Sequence, residues 1–486
     1  MRGNGITPSQ IPGPSTEGDG AQAILDAGGL HTYQLGLHAE YGPVVRFPLP
    51  GAGLAVSIAD PVLLEATAKI NKRPEKLFEF LAPLQESGNL QTLPADEHGP
   101  WRRVMLSVLA GRPSHEAHFA HFTALATDLA DDWQARAASG PVPGGGTTPH
   151  IPRNGPVPGG GTTPHTPRNG PVPGGGTTPH TPRNGTVTSQ KDLSELSLRM
   201  ICRYSLGSGL TPEESARVVA AFEAVLTEHL GRLYQPDAPD TSGAAEEGLA
   251  YLRATVDRVL AAHRESTGRS DMIAALAESG ASPARIRDSV LMAMLAAHHT
   301  TGVAISWVLY TLSQHPDAAA RVAAELDEVL GDRAAPDYAD LKRLTYLDRV
   351  LRETMRLYPP GPYGAREATE DITVGDYEIP AGTTIFYPFW AVHMNPRYWP
   401  DPHVFDPDRF TPEASAGRPR LAYIPFGIGP RSCEGAALAM VEAELVLAVL
   451  LKRFEFRLTP GRPVTPTERF VLWAADDIHL DITLRE

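Results

Sequence analysis

The sequence has few cysteines, no excess of basic residues and no long apolar run, and each shortage excludes a class of protein. Only two cysteines are present, Cys202 and Cys433, and they are too far apart to indicate a disulfide scaffold. Acidic residues outnumber basic ones by 57 to 43, a formal net charge of −14, which argues against a general nucleic-acid binder. No segment reaches eighteen consecutive uncharged apolar residues, so we expect a cytoplasmic protein with no signal peptide and no membrane anchor.

One segment, residues 140–184, consists of three copies of a fifteen-residue unit, GPVPGGGTTPHTPRN. In the first copy isoleucine replaces the third threonine of the unit. The unit is rich in glycine and proline and has almost no strong hydrophobes, so it cannot bury enough apolar surface to offset its ordering entropy. We interpret the repeats as a disordered insert produced by tandem duplication, which we favour over a docking element. The predicted organisation is a flexible tail over residues 1–20 and a single domain over residues 21–486, interrupted by the insert.

The remaining sequence predicts a mainly α fold with a small β region. Two apolar runs, over 44–47 and 54–59, predict one hairpin. Residues 371–388 predict a meander with turns at Gly375 and Gly382. Shorter helices are predicted over 115–138, 193–204, 212–233 and 246–263.

Two further helices have clear end signals. The longer one, over 282–315, has Ser282 as its N-cap candidate and would be roughly 50 Å long, enough to cross a whole domain. The second begins at Thr345, where Thr345 and Asp348 fit a capping box, and it ends at two consecutive prolines.

The most specific motif is PFGIGPRSCEG, in which Cys433 follows a Gly-x-Gly loop and an arginine and precedes a strongly apolar helix. The N-terminus of that helix places unpaired N–H groups and a positive dipole beside the sulfur, which favours the thiolate. Gly427 and Gly429 permit close backbone approach to a flat ligand, and Arg431 offers a cation for a carboxylate. A thiolate in this setting suits a soft metal or a haem iron.

Two plainer interpretations fit only parts of the motif. A Gly-x-Gly loop also occurs in nucleotide sites, but the βαβ context and the third glycine are missing, and a lone cysteine is most often an inert core thiol. The whole pattern Phe-Gly-x-Gly-x-Arg-x-Cys-x-Gly resembles the haem-binding loop of the cytochrome P-450 family. The resemblance covers most of the chain outside the tail and the insert. It implies the cytochrome P-450 fold, a triangular helix-rich domain with a long central helix over haem b, and Cys433 as the thiolate ligand of the iron.

The resemblance extends to residues expected around the haem and behind it. Glu353 and Arg356 match the family's Glu-x-x-Arg, and Arg409 in PDRF is expected to complete a buried structural cluster. Residues i and i+3 share a helix face, so Glu353 and Arg356 can pair, and a fork-shaped guanidinium can bridge them to a loop. The family positions imply these haem contacts: His98, Arg102, Arg366, Phe426, Gly427, Arg431, Cys433 and Gly435.

The long helix departs from the family pattern at the catalytic position. The family has an acid before a threonine that relays protons to dioxygen, whereas this sequence has His299 before Thr300, and Ala297 in place of a glycine. An imidazole can accept and donate protons near neutral pH. Either His299 relays protons, or Thr300 and water suffice and His299 is only a polar helix residue. Ligation of the iron by His298 or His299 is disfavoured because it would block oxygen.

The resemblance implies a monooxygenase that inserts one oxygen atom from O2 into a hydrophobic small molecule, such as a lipid, terpene or polyketide-like metabolite. No reductase sequence follows Cys433, so we expect a monomer that takes NAD(P)H-derived electrons from a separate ferredoxin and ferredoxin reductase. The alternatives are a peroxide-dependent peroxygenase or isomerase, against which the retained Thr300 argues, and a non-enzymatic haem carrier or sensor. The family positions place these residues in the substrate pocket: Phe78, Phe80, Leu81, Met294, Ala297, Pro362, Tyr363, Val471 and Leu472.

Overall fold

A long helix crosses the middle of the structure, and most of the other helices pack around it. The computed structural model describes residues 10–139, 185–206, 211–234, 240–264, 272–469 and 471–485. The predicted insert over 140–184 and residues 1–9 of the predicted tail lie outside the described residues. In the described ranges the α-helices are α1 (Ala21–Asp26), α2 (Leu30–Tyr41), α3 (Pro61–Leu64), α4 (Ala95–Leu109), α5 (Arg112–Ser139), α6 (Ser189–Leu206), α7 (Pro212–Tyr234), α8 (Ser242–Arg264), α9 (Met272–Glu278), α10 (Pro283–Gln314), α11 (Pro316–Leu330), α12 (Thr345–Leu357), α13 (Phe389–His393), α14 (Pro412–Ser415) and α15 (Ala436–Arg453).

The β region is small and is divided among several sheets. In the described ranges the strands are β1 (Val44–Leu49), β2 (Gly53–Ile58), β3 (Gly185–Thr188), β4 (Gly364–Glu367), β5 (Ile372–Val374), β6 (Tyr377–Ile379), β7 (Thr384–Tyr387), β8 (Phe454–Leu458), β9 (Pro466–Arg469), β10 (Val471–Ala474) and β11 (His479–Leu484). One sheet has the strand order β1-β2-β7-β4, a second has the order β3-β11-β8, and β5-β6 and β9-β10 are two-stranded pairs. The mainly α fold with a small β region is therefore confirmed.

Helix α10 confirms the predicted central helix and its start. The Ser282 hydroxyl accepts a hydrogen bond from the backbone N–H of Arg285 at 3.2 Å, and Pro283 occupies the first turn. By length and composition this helix could cross a membrane, but 72% of its most apolar window is buried inside the protein. A helix at the centre of a folded core gives the same signal, so α10 is only weak evidence of a membrane span.

Helix α6 crosses α10 at short distance, and a glycine makes this crossing possible. A Cβ atom on Gly302 would lie 2.5 Å from the Ser194 nitrogen and 2.6 Å from the Leu193 carbonyl oxygen. Nearby, the Ser197 hydroxyl donates a hydrogen bond to the Ala297 carbonyl oxygen at 2.8 Å. Because both contacts involve the backbone of the middle turns of α10, they fix the position of those turns along and against α6.

Helix α12 begins at the predicted residue, but the predicted capping box is wrong. Thr345 is the first helical residue rather than the N-cap, and its hydroxyl donates to Glu325 Oε1 at 3.3 Å. The Glu325 carboxylate, which α11 supplies, also accepts the backbone N–H groups of Tyr346 at 2.7 Å and Leu347 at 2.9 Å. A side chain from a neighbouring helix therefore caps α12, so Asp348 does not have that role.

The β region confirms the predicted hairpin and corrects the predicted meander. Strands β1 and β2 pair antiparallel, with Val44 opposite Ile58. Strands β5 and β6 also form a hairpin, but β7 does not continue it, because it pairs in parallel with β2 and antiparallel with β4. All four residues of β7 are buried. A strand that is covered on both faces belongs inside a sheet rather than at the end of an exposed meander.

Part of the predicted flexible tail packs against β1. The side chain of Ile11 is 1% exposed, and the carbonyl of Pro12 accepts the backbone N–H of Arg46 at 2.9 Å. The Arg46 guanidinium also donates to the carbonyl of Pro14 at 3.0 Å. Composition favoured flexibility here because the segment is rich in glycine and proline, whereas one buried isoleucine and two hydrogen bonds attach residues 11–14 to the sheet.

We predict that Gly302→Ala lowers the free energy of unfolding by roughly 1–3 kcal/mol, since the added methyl group forces α10 and α6 apart. The matched control is Gly36→Ala in α2, where an added Cβ meets nothing within 4 Å. The control should be neutral or stabilising by up to about 1 kcal/mol. Denaturant unfolding followed by circular dichroism measures both. Equal effects of the two substitutions would show that the α6–α10 crossing is not close-packed.

Candidate functional site

A cavity of about 380 Å³ lies between the middle of α10 and the loop that precedes α15. This volume is within the range of ligand sites, about 300–1,000 Å³. Most of the wall is apolar, as expected for a site that binds a flat hydrophobic cofactor or substrate. The structure brings the following predicted residues together on this wall: Phe78, Leu81, Ala297, Thr300, Tyr363, Arg366, Phe426, Gly427, Arg431, Cys433, Gly435 and Val471.

Several other predicted residues lie away from the cavity wall. Leu472 is fully buried in the core, where its N–H donates to the Pro360 carbonyl at 2.8 Å and its carbonyl accepts Trp307 Nε1 at 2.7 Å. Met294 is also buried in the core, at 1% exposed. The side chain of Phe80 lies outside the described residues. The remaining predicted residues that do not line the cavity are His98, Arg102, His299 and Pro362.

Cys433 is deeply placed, yet its side chain is accessible because it faces the cavity. Burial, and secondly the neighbouring Glu434, raises the pKa of the free thiol to about 11, while the backbone N–H of Gly435 acts in the opposite direction. The Gly435 N–H at the helix N-terminus thus acts in the predicted direction, towards the thiolate, but the desolvation of the sulfur is the larger effect. A bound metal ion reverses this balance, since a coordinating thiol loses its proton.

The loop before Cys433 depends on two glycines for different reasons. Gly427 lines the cavity and has φ +75°, a conformation that side chains rarely adopt. Gly429 has φ +67°, and a Cβ there would lie 1.9 Å from the Ala68 carbonyl oxygen. The predicted close approach to a ligand is therefore wrong for Gly429, whose close neighbour is the backbone of the protein. The Cys433 N–H closes the loop by donating to the Phe426 carbonyl at 2.8 Å.

One edge of the cavity carries more positive than negative charge. Burial, aided by neighbouring guanidinium groups, lowers the pKa of Arg73 to about 9 and that of Arg431 to about 10. Burial also lowers the pKa of Arg366. Of the two acids on the wall, Glu434 is paired with Arg102, and burial raises the pKa of Glu442 to about 8, so that it is mainly neutral at pH 7.

These features fit haem b. Arg73, Arg366 and Arg431 face too few acids, and the two carboxylate groups of a porphyrin would supply the missing negative charge. Cys433 would provide the one soft protein ligand that the haem iron needs. Arg73 Nε is buried without a hydrogen-bond partner, so at least one donor at this edge is available to a ligand. Among the described residues, no cluster of three or more His, Cys, Asp or Glu side chains offers a different kind of metal site.

Arg431 also holds the surrounding backbone. Its Nε, Nη1 and Nη2 atoms donate to the carbonyl oxygens of Asn71 at 2.8 Å, Leu90 at 2.6 Å and Leu93 at 2.6 Å. The guanidinium thus ties the thiolate loop to the segment before α4. Arg366 similarly donates to the carbonyl of Ile428 at 3.2 Å. Both arginines therefore keep the loop in place as well as presenting charge to the cavity.

The two residues predicted on α4 behave differently from each other. His98 is 0% exposed, and neither of its ring nitrogens has a hydrogen-bond partner in the described part of the chain. Burial, and then the neighbouring arginines, lowers the pKa of His98 to about 4, so the ring is neutral at pH 7. Arg102 instead donates to the carbonyl of Ser432 at 2.6 Å and to its hydroxyl at 3.0 Å, and it is ion-paired with Glu434.

The predicted structural cluster is present behind the site. Arg356 Nε and Nη2 each donate to the Glu353 carboxylate at 2.7 Å, and both side chains are fully buried. Arg409 Nε lies 3.4 Å from Glu353 Oε1. Arg356 Nη1 also donates to the His393 carbonyl at 3.1 Å, and His393 Nε2 accepts the backbone N–H of Ile424 at 2.9 Å. Through His393 the cluster reaches the start of the thiolate loop.

Helix α10 presents Thr300 and turns His299 away. Thr300 lines the cavity, and its hydroxyl donates to the Ala296 carbonyl at 2.7 Å. The ring of His299 stacks on His298 with 3.8 Å between centroids and meets Trp473 edge-on at 5.1 Å. Burial lowers the pKa of His299 to about 4. A ring that is neutral and outside the cavity wall favours the second of the two sequence-based hypotheses, in which Thr300 and water suffice.

The residues of the site that escaped the sequence reasoning include Arg73, His393 and Glu442. Arg73 stands between Lys72 and a proline in a segment that contains several charged residues, so nothing in the sequence separates it from a solvated cation. Glu442 lies in a strongly apolar helix, where an acid is a usable signal of a buried carboxyl group. His393 gave no signal, since its role depends on two backbone groups that are distant in sequence.

Together, the fold and the site define a haem-thiolate protein, in which one cysteine faces a long helix across an apolar cavity. A sequence model of the family Cytochrome P450 matches residues 182–480, which is more than half of the chain. The chain therefore belongs to the cytochrome P450 family. Membership implies haem b as the cofactor, together with O2 and NAD(P)H-derived electrons.

Individual proteins agree with this assignment. The chain is 45% identical to cytochrome P450 4V2 of Mus musculus over 170 residues, which are 35% of this chain and 32% of that protein. It is 37% identical to cyclooctatin synthase of Streptomyces melanosporofaciens over 238 residues, which are 47% of this chain and 52% of that protein. The matches thus span about a third to a half of the length of these curated relatives.

A solved structure extends the likeness of the fold to almost the whole chain. The crystal structure of the cytochrome P450DA heme domain superposes with a TM-score of 0.80 and covers 98% of both chains. Its sequence identity is 21%, so this likeness shows the fold alone.

We predict that Arg356→Met lowers the free energy of unfolding by about 3–5 kcal/mol, because it leaves the Glu353 carboxylate buried without its partner. The control is Arg352→Met on the same helix, which removes a partly exposed ion pair with Asp348 and should cost about 1 kcal/mol or less. Chemical unfolding of the haem-loaded proteins measures both. A loss below about 1 kcal/mol for Arg356→Met would contradict the buried cluster.

We also predict that stability falls as the pH drops from about 6.5 towards 4. Because burial lowers the pKa of folded His299 to about 4, the unfolded chain binds more protons than the fold in this window. The loss from His299 is up to about 3 kcal/mol. His299→Asn should reduce the acid-dependent part of the stability loss. An unaltered pH profile for His299→Asn would show that this ring is not buried as described.

Proposed function

We propose that this protein is a monooxygenase that inserts one oxygen atom from O2 into an apolar small molecule. The observation that carries the proposal is the placement of Cys433 and Thr300 on the wall of one apolar cavity. Haem b bound there would supply the activation of dioxygen and the transfer of one oxygen atom to a C–H bond. The family assignment supports this reaction class, because the named relatives include other cytochromes P450.

The residues of this chain have separable roles in the proposed reaction. Cys433 would hold the iron from one side, and Arg73, Arg366 and Arg431 would hold the two carboxylates of the porphyrin. Thr300 would keep a water molecule or a proton at its hydroxyl oxygen, after release of its hydrogen bond to the Ala296 carbonyl. The apolar wall excludes other water, which protects the reacting centre from side reactions.

The substrate class is proposed from the cavity wall and from the relatives. Side chains such as Phe78, Leu81, Met292 and Val471 offer apolar surface on the wall. Such a wall recognises a lipid, terpene or polyketide-like metabolite by its shape and hydrophobicity. The similarity to cyclooctatin synthase supports a role in forming a small-molecule metabolite, consistent with secondary metabolism.

The electron donor is proposed to be a separate ferredoxin with its ferredoxin reductase, serving a cytoplasmic monomer. The sequence offers Arg103, Arg112, Lys452 and Arg453 as basic candidates that would attract an acidic donor to the thiolate side. Of these, Lys452 is 2.7 Å from Asp327, and Arg112 is 2.9 Å from Glu116, so part of their charge is neutralised locally. Arg103 is exposed on α4, next to the residue that contacts the thiolate loop, and is the better candidate for the docking surface.

A second candidate function, peroxide-dependent oxidation, has one observation in its favour. The acid that normally precedes the threonine is replaced by His299, and the structure turns that ring away from the cavity. A site that lacks an acid beside Thr300 delivers protons less readily to dioxygen, whereas a peroxide brings its own protons. Retention of Thr300 on the wall favours the dioxygen reaction, so we place the peroxide reaction second.

The test compares product formation from one substrate under two conditions, O2 with electron donors and hydrogen peroxide alone. Apolar metabolites are first screened for a low-spin to high-spin change of the haem spectrum, and the best ligand is then incubated with NADPH, ferredoxin and ferredoxin reductase, or with hydrogen peroxide alone. We expect oxygenated product, labelled from ¹⁸O2, with the electron donors. Product with peroxide but not with the donors would overturn the proposal in favour of the second function.

Variants test the proposed role of Thr300 in the same assay. We predict that Thr300→Val lowers the yield of product per NADPH by about tenfold or more, because it removes the hydroxyl that holds the proton. The matched control is Thr311→Val on the same helix, whose hydroxyl donates to the Trp307 carbonyl at 2.7 Å away from the cavity wall, and which should leave the yield per NADPH nearly unchanged. His299→Ala and His299→Asp should leave the yield unchanged. A loss for both His299 variants equal to that of Thr300→Val would restore His299 as the relay.

A further inference from the structure

Glu442 is a buried acid on the cavity wall that has no ion-pair partner in the described part of the chain. The residue is 1% exposed, and its Oε1 atom makes no hydrogen bond within the described ranges. A buried carboxyl group without a partner costs folding free energy, so stability alone would favour an apolar side chain here. Glu434, the other acid on the described wall, is instead paired with Arg102.

Helix spacing places Glu442 on the side of α15 that faces the cavity. Leu438 and Ala439, one turn earlier, line the wall together with Glu442 and Ala443. Residues one turn apart share a helix face, and the other three members of this set are apolar. The carboxyl group of Glu442 is therefore the polar group that this face of α15 presents to the cavity.

Helix α10 packs against α15 and presents hydroxyl groups to the same cavity. Thr300 and Thr301 both line the wall, whereas His299, which stands where the family has an acid, does not. Small side chains accompany the threonines on α10 and Glu442 on α15, and those on the wall include Ala296, Ala297, Ala304, Ala439 and Ala443. These alanines leave the space between the carboxyl group and the hydroxyl groups open to water.

Burial also keeps the proton on Glu442 at neutral pH. It raises the pKa of Glu442 to about 8, and no charged neighbour in the described ranges contributes to this change. Tyr204 of α6 is the titratable group that Glu442 influences: burial, and to a smaller extent Glu442, raises the pKa of Tyr204 to about 12. At pH 7 both groups are mainly protonated and uncharged. A neutral carboxylic acid can give a proton to water, which a carboxylate cannot.

We propose that Glu442 is the proton source for the reaction at Thr300, the role that an acid at the position of His299 would otherwise have. One proton moves in the step: the Glu442 O–H bond breaks, and an O–H bond forms on a water molecule held at the Thr300 hydroxyl oxygen. That water passes one of its own protons to the dioxygen being reduced, and the Glu442 carboxylate regains a proton from solvent water. This inference rests on the proposed function, since it names the proton source of that same site.

The first test measures product per NADPH with ferredoxin and ferredoxin reductase. Glu442→Gln keeps the shape of the side chain but has no acidic proton, so we expect a loss of tenfold or more, and Glu442→Asp should recover part of it. The matched control is Glu444→Gln on the same helix. Burial, and then the neighbouring Asp348, raises the pKa of Glu444 to about 8 as well, but Glu444 does not line the cavity, so the yield should stay within about twofold.

Three results of this assay would overturn the proposal. The first is an unchanged yield in Glu442→Gln, and the second is an equal loss in Glu444→Gln or in Glu442→Asp. The third is a weaker dissociation constant for the ligand in Glu442→Gln, measured by the spin change of the haem, because the loss would then come from a damaged site rather than from a missing proton.

The second test does not depend on turnover and follows the free energy of unfolding of the haem-loaded protein against pH. Folded Glu442 has a pKa of about 8 and an unfolded glutamate about 4.3, so the fold binds more protons between these values. Wild-type stability should therefore fall relative to Glu442→Gln as the pH rises from about 5 to 8. A constant difference between the two proteins would show that Glu442 is already ionised, which would overturn its role as a proton source.

The outcomes separate this inference from the function on which it rests. If the wild-type protein forms no oxygenated product with the electron donors, the proposed function fails, and the role of Glu442 fails with it. If the wild-type protein forms product and Glu442→Gln forms as much per NADPH, only the role of Glu442 fails.

Discussion

The structure depends on holding one sulfur atom on the wall of an apolar cavity, opposite the middle of α10. The surroundings of Cys433 oppose its ionisation, since burial raises the pKa of the thiol to about 11. The loop that carries Cys433 is nevertheless held by three hydrogen bonds: from the Cys433 N–H to Phe426, from Arg102 to Ser432, and from the Ile424 N–H to His393. The protein therefore preorganises the position of the ligand and leaves its charge to be set by the metal.

Buried charge is the second theme, and it appears in two forms. Glu353 and Arg356 are fully buried but mutually satisfied, so their pair links α12 to the segment that leads to the thiolate loop. The edge of the cavity is different, because Arg73, Arg366 and Arg431 meet too few acids there. A buried cluster whose charges are paired stabilises the fold, whereas a cluster with unpaired positive charge indicates an anionic ligand.

The sequence was a good guide where function or structure depends on short spacings. The loop around Cys433, the Ser282 cap and the i, i+3 pair of Glu353 and Arg356 are local patterns, and the structure contains each of them. The interactions that the sequence did not predict join residues that are distant in the chain. Three examples form only in the tertiary fold: Glu325 caps α12, β7 pairs with β2, and Arg102 pairs with Glu434. Residue type alone cannot distinguish these partners from solvated surface residues.

The most direct test of this account is the absorption spectrum of the dithionite-reduced protein under carbon monoxide. Ligation by the Cys433 thiolate predicts the red-shifted Soret maximum that is diagnostic of a thiolate opposite carbon monoxide, and its replacement in Cys433→His by the shorter-wavelength maximum of an imidazole-ligated haem. A wild-type spectrum without the red-shifted maximum, or a Cys433→His spectrum that retains it, would contradict the account.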